Sequence, residues 1–197
     1  MEDLLSFVLA GIALTGSPGP ATLGLAAAGA AYGARRGLAL FVGILVGVLA
    51  VMLVTAGGLT GLILAQPRVA QAVGLLAAVY MLYLAYRIAT APPPGDPGPD
   101  ARPPGFMLGV FLGVGNPKAY VAMAALFSGF VLVRERLFAD AAAKTVVLVA
   151  IMIVVDWLWL LAGAALTRAF RRPRLGRAIN IGFAVLLVAS VGLTLAF

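Results

Sequence analysis

Long uncharged runs separated by short polar connections dominate this 197-residue chain. Six runs stand out: Leu4 to Ala30, Leu38 to Leu64, Val69 to Ile88, Phe106 to Val133, Thr145 to Leu166 and Ile179 to Phe197. Each is near or above the roughly 20 residues that a helix needs to cross ~30 Å of hydrocarbon. The pattern therefore predicts an all-α, polytopic membrane protein with six transmembrane helices and no soluble domain. Between the third and fourth runs, the stretch from Ala91 to Pro104 is dense in proline and reads as an extended or disordered tether. The expected organisation is a three-helix unit over 1–90, a cytoplasmic linker over 91–104 and a second three-helix unit over 105–197.

Two runs are interrupted partway by prolines and polar residues: Gly16, Ser17, Pro18, Gly19, Pro20 in the first, and Gly115, Asn116, Pro117, Lys118 in the fourth. Proline removes an N–H donor and clashes with the preceding turn, so each site should open its helix and free backbone groups that lipid cannot satisfy. At about 1.5 Å of rise per residue, the dozen or so residues ahead of each break carry the chain ~16 to 20 Å inward, near the midplane. A shift of 99 positions lays Gly16, Ser17 and Pro18 on Gly115, Asn116 and Pro117, and Arg35 on Arg134. The halves thus read as repeats. Three helices is an odd number, so the second copy enters from the opposite side, and the two breaks are predicted to meet at the axis of an inverted repeat.

Composition agrees with a lipid solvent: 63% of residues are hydrophobic, 11% are charged and mean hydropathy is +1.09, more apolar surface than a soluble domain of this size can bury. The net charge of +7 does not point to nucleic acid, because the basic residues sit in connections rather than on one face. They set orientation instead. Nine (Arg35, Arg36, Arg87, Arg102, Arg168, Arg171, Arg172, Arg174, Arg177) follow odd-numbered runs and four (Arg68, Arg134, Arg136, Lys144) follow even-numbered ones. The positive-inside rule then places the odd loops in the cytoplasm and both termini outside, in the cytoplasmic (inner) membrane. The first run follows Glu2 and Asp3 rather than a basic n-region, and is expected to stay as a membrane segment. Tyr80, Tyr83 and Tyr86 read as an interfacial belt, and Asn180 as a helix-end residue. Gly43 with Gly47, and Ala26 with Ala30, have the spacing of close helix contacts, within the chain or, alternatively, at a homodimer seam.

Lys118 and Asp156 are charges inside predicted membrane segments, too deep to reach an interface easily. They are expected to face one cavity, with Lys118 attracting a substrate carboxylate and Asp156 taking either the substrate amine or a coupled proton; proton coupling is the role assigned to it. A structural ion pair is the plainer alternative. Trp157 and Trp159 lie mid-segment, where they either line the cavity or fill space. The helices that restart after each proline present N-terminal partial positive charge, suited to a carboxylate. The expected substrate-binding set is Ser17, Pro18, Gly19, Pro20, Asn116, Pro117, Lys118 and Trp157.

Ser17-Pro18-Gly19-Pro20, then Gly29, Gly33, Arg35, Gly37, Leu38, Gly43 and Gly47, and later Gly113 with Asn116-Pro117-Lys118-Ala119, together resemble the LysE/RhtB amino-acid exporters over nearly the full length. The family usually reads Thr-Pro-Gly-Pro-Asn where this chain has Ser17-Pro18-Gly19-Pro20-Ala21. The resemblance implies export of amino acids or close derivatives, driven by a proton or membrane gradient, with the lipid bilayer and the amino-acid substrate as partners. Rocking one three-helix half against the other would expose the central site alternately to the two sides.

Rival functions have less support. Cys and His are absent, which removes thiol redox carriers and ordinary zinc sites, and no phosphate-binding GxxxxGK[ST] loop occurs. No cofactor is expected. A hydrolase would need an Asp pair or a Ser/His arrangement in the membrane, and neither is present, so the chain is not read as an enzyme. A cation exporter would want several carboxylates where the interior shows one. A nontransporting membrane subunit or assembly factor, and an exporter of a different small solute, stay open as alternatives.

Overall fold

Glu2 to Gly16 carries no proline and is almost wholly apolar after Asp3, and it forms the first helix, α1 (Glu2–Gly16). Pro18 ends it: it has no N–H to give the carbonyl of Leu14, and the last helical bond runs from Ser17 N to Ala13 O at 3.2 Å. Pro20 restarts the chain at the first position of α2 (Pro20–Tyr32), where a missing N–H costs nothing. Gly33, at φ +79°, closes α2 by donating to Gly29 O (2.9 Å) and turns the chain directly into α3 (Ala34–Ala56). After the linker come α4 (Phe106–Val114), α5 (Pro117–Gly129) and α6 (Leu137–Ala169). These come from a computed structural model that describes residues 2–58, 103–134 and 136–169, with isolated positions between 75 and 90 and between 177 and 189. Among the described residues there is no strand.

Both expected breaks are present and nearly alike. α1 and α2 meet at 60°, α4 and α5 at 58°. By length and apolarity α3 and α6 each suffice to cross a membrane, and each bent pair passes the same test as one span. Most of the third and sixth predicted runs and of the proline-rich linker, with Tyr80 and Asn180, lies outside the described residues; Tyr83 and Tyr86 are exposed.

Several boundaries differ from the sequence reading. α3 begins at Ala34 rather than Leu38 and ends at Ala56, where Gly57 and Gly58 (φ +76°) turn the chain. α5 stops at Gly129 rather than Val133, and α6 starts at Leu137 rather than Thr145. The last two differences share a cause. Asp140 and Lys144 read as the polar end of a connection, yet they sit inside the helix as a closed ion pair (2.5 Å). Asp140 Oδ1 also accepts from Leu132 N (2.6 Å) and Val133 N (2.9 Å), holding 130–134 in a non-helical hook, and Lys144 Nζ donates to Phe127 O (2.8 Å).

The most extensive contacts pair α3 with α4 and α2 with α6. At the first seam Gly43 and Gly47 lie on Gly109 and Gly113, backbone against backbone. A methyl group added at Gly113 would sit 2.8 Å from Ile44 O and 2.9 Å from Gly47 Cα, too close for any carbon. At the second seam Gly29 meets the Leu160 carbonyl and Gly163 meets that of Ala26. The small residues picked out for close packing therefore serve contacts inside the chain. Phe7, Leu25, Ile44, Met52, Leu112 and Leu126 are fully buried between the helices, with Phe7 edge-on to Phe130 at 5.5 Å.

Candidate functional site at the paired helix breaks

The first break strands the last carbonyls of α1, and three side chains come to them. Ser17 Oγ donates back to Leu14 O (3.1 Å), Trp159 Nε1 of α6 donates to Gly16 O (3.1 Å), and Lys118 Nζ of α5 donates to Ser17 O (2.6 Å). The last bond joins the two breaks, 101 residues apart in sequence. Gly19 makes room for it: a Cβ there would lie 3.1 Å from Lys118 Cδ and 3.2 Å from Nζ, so the lysine stem crosses where a side chain would otherwise stand.

Each restarting helix is capped locally. Thr22 Oγ1 accepts from Gly19 N (2.9 Å) and donates back toward Gly19 O (3.1 Å), a reciprocal cap on α2. Asn116 Oδ1 accepts from Lys118 N at 3.2 Å, an N-cap that satisfies one of the first donors of α5. Pro20 and Pro117 hold the first helical positions; Pro20 is buried, Pro117 partly so, and Pro18 is exposed.

Between the breaks lies a cavity of about 40 Å³, room for about one water. Its polar wall is Thr15, Thr22, Asn116, Lys118 and Asp156. Its apolar wall is Leu14, Val48, Ala119, Ala122, Met123 and Met152, with the backbone of Gly19 and Ala21 completing it. Lys118 and Asp156 are the charged residues of this lining, among those described. They form no direct ion pair; among the described residues that geometry belongs to Lys144 and Asp140. Asp156 is 3% exposed and its Oδ2 has no hydrogen-bond partner among the described residues. Burying a carboxylate oxygen without a donor is costly, so this atom is where the cavity most demands a ligand.

Of the residues singled out from sequence, Gly19, Asn116, Lys118 and Asp156 line the cavity, while Ser17 reaches it through its carbonyl on Lys118. Pro18, Pro20 and Pro117 shape the bends. Trp157 lies outside the lining and packs edge-on to Phe41 at 5.8 Å. Trp159, left open between lining and filling, caps Gly16 instead. Sequence reasoning missed Thr22, although its spacing three residues after Gly19 is that of a cap, and it missed both methionines, which carry no local signal. No cluster of three metal-ligating side chains occurs among the described residues.

Comparison with known proteins gives one consistent result. The sequence model of the LysE type translocator family matches residues 12–197. Cysteine/O-acetylserine efflux proteins are similar: that of Salmonella choleraesuis (strain SC-B67) is 32% identical over 172 residues, covering 87% of each chain. The protein of that name from Escherichia coli (strain K12) is 31% identical over the same length and coverage. No solved structure matches the chain.

Proposed function

This chain belongs to the LysE type translocator family, transporters rather than enzymes, and we propose that it is a secondary active exporter of amino acids or close derivatives across the cytoplasmic membrane. The observation that carries the proposal is the cavity between the two helix breaks, which brings into one small space the Lys118 ammonium and the Asp156 carboxylate, whose Oδ2 has no partner among the described residues. An α-amino acid offers one group of each opposite sign. The relatives named for cysteine and O-acetylserine efflux support the same class of cargo.

In the proposed cycle the substrate carboxylate displaces Ser17 O from Lys118, aided by the positive ends of α2 and α5, whose N-caps Gly19 and Asn116 line the cavity. Asp156 exchanges a proton or holds the substrate amine. The space of about 40 Å³ is below that of ordinary ligand pockets, so binding widens it, and the two bends are the natural places for the chain to give. Matching bends of 60° and 58° and the 99-residue offset support two inverted three-helix repeats built around this point.

Gradient-driven transport in liposomes tests the coupling. Asp156→Asn should still exchange labelled substrate across the membrane yet lose acceleration by an imposed pH gradient. If it responds to the gradient as the wild type does, Asp156 is not the coupling group.

A further inference from the structure

The charges of the cavity come in one pair, Thr15, Thr22 and Asn116 add neutral polar groups, and the rest of its wall is apolar. On α5, Lys118 is followed by Ala119, Ala122 and Met123, which share one helical face; on α6, Met152 stands one turn ahead of Asp156 on the same face. Val48 of α3 closes the space between them. Met123 is 1% exposed and Met152 5% exposed, so neither thioether is a surface group. Once a substrate's α-carboxylate meets Lys118 and its α-amine meets Asp156, its side chain must lie against this wall.

We infer that Ala122, Met123, Met152 and Val48 form the side-chain subsite of the transporter, one that selects small, uncharged side chains. The inference rests on the exporter reading above. A third charge on the substrate would meet methyl and thioether groups with no counter-ion among the described lining, which disfavours basic and acidic amino acids. A space of about 40 Å³ leaves little width, which disfavours bulky ones. The methionines add a polarisable, adaptable surface that accommodates a hydroxyl, thiol or short ester better than branched aliphatic residues would.

The full chain in liposomes is assayed by counterflow of five labelled probes: L-serine, L-cysteine, L-leucine, L-lysine and L-glutamate. Serine and cysteine are expected to move at least about tenfold faster than lysine and glutamate, with leucine between. Met123→Ala should raise leucine relative to serine by at least about tenfold, since it frees the room of three heavy atoms and a single methylene is already worth about that much. Met152→Asp should raise lysine relative to serine by a similar or larger factor. Wild-type protein moving lysine or glutamate as fast as serine would overturn the subsite, and so would an unaltered ranking in Met123→Ala. If no probe moves, the exporter reading itself falls and the subsite with it.

Discussion

Lys118→Met deletes one ammonium and keeps most of the apolar stem, and its two consequences can be separated. Folding loses the 2.6 Å bond to Ser17 O, of a charge-assisted class worth about 1.5–3 kcal/mol. Against this, an ammonium at mid-membrane costs about 2.5–3.5 kcal/mol, less beside a cavity, and that penalty disappears. The opposing terms are similar in size, so stability should change by no more than about 1–2 kcal/mol in either direction. Substrate binding is offset only by the bond to Ser17 O that the carboxylate displaces, a neutral acceptor exchanged for a charged one. On the proposed mechanism Lys118 is the partner of a carboxylate, and truncating one side of a buried charge pair costs about 2–5 kcal/mol, a loss of affinity of at least about 30-fold. The two are measured together as thermal unfolding followed by the fluorescence of Trp157 and Trp159, and counterflow in liposomes. A variant that folds normally and transports with unchanged half-saturation would refute the role given to Lys118.

The hook between α5 and α6 makes a contrasting case. Lys144→Met leaves Asp140 buried without its cation and strands Phe127 O, so it should destabilise by about 3–5 kcal/mol, read as a lower unfolding temperature, with partial recovery when Asp140→Asn is added. Trp159→Phe keeps the ring but removes the donor to Gly16 O; a loss of about 1–2 kcal/mol in thermal stability is expected, with the order of transported substrates unaltered.

Much of the site was legible because proline chemistry is local. Pro18, Pro20 and Pro117 mark both bends to within a residue, and an isolated Lys118 in an apolar run announces its need for a partner. What could not be read was which partner. Gly16 O and Trp159 are 143 residues apart, and no spacing rule links them. The start of α6 was placed too late for a related reason: Lys144 was counted with a connection, but Asp140 lies four residues before it on one helix, the two neutralise each other and α6 runs through them. The early end of α5 follows from Asp140 claiming Leu132 N and Val133 N, again a contact visible only after folding.

The glycine seams bear on how such a molecule can move. α3 meets α4, and α2 meets α6, with main chain touching main chain, and each seam ties a helix from the first half of the sequence to one from the second. Surfaces without side chains have no soft layer on which to slide, so rocking one half of the chain against the other would have to shear both seams. Bending at the two proline breaks leaves those seams intact and is the less costly way for the cavity to open.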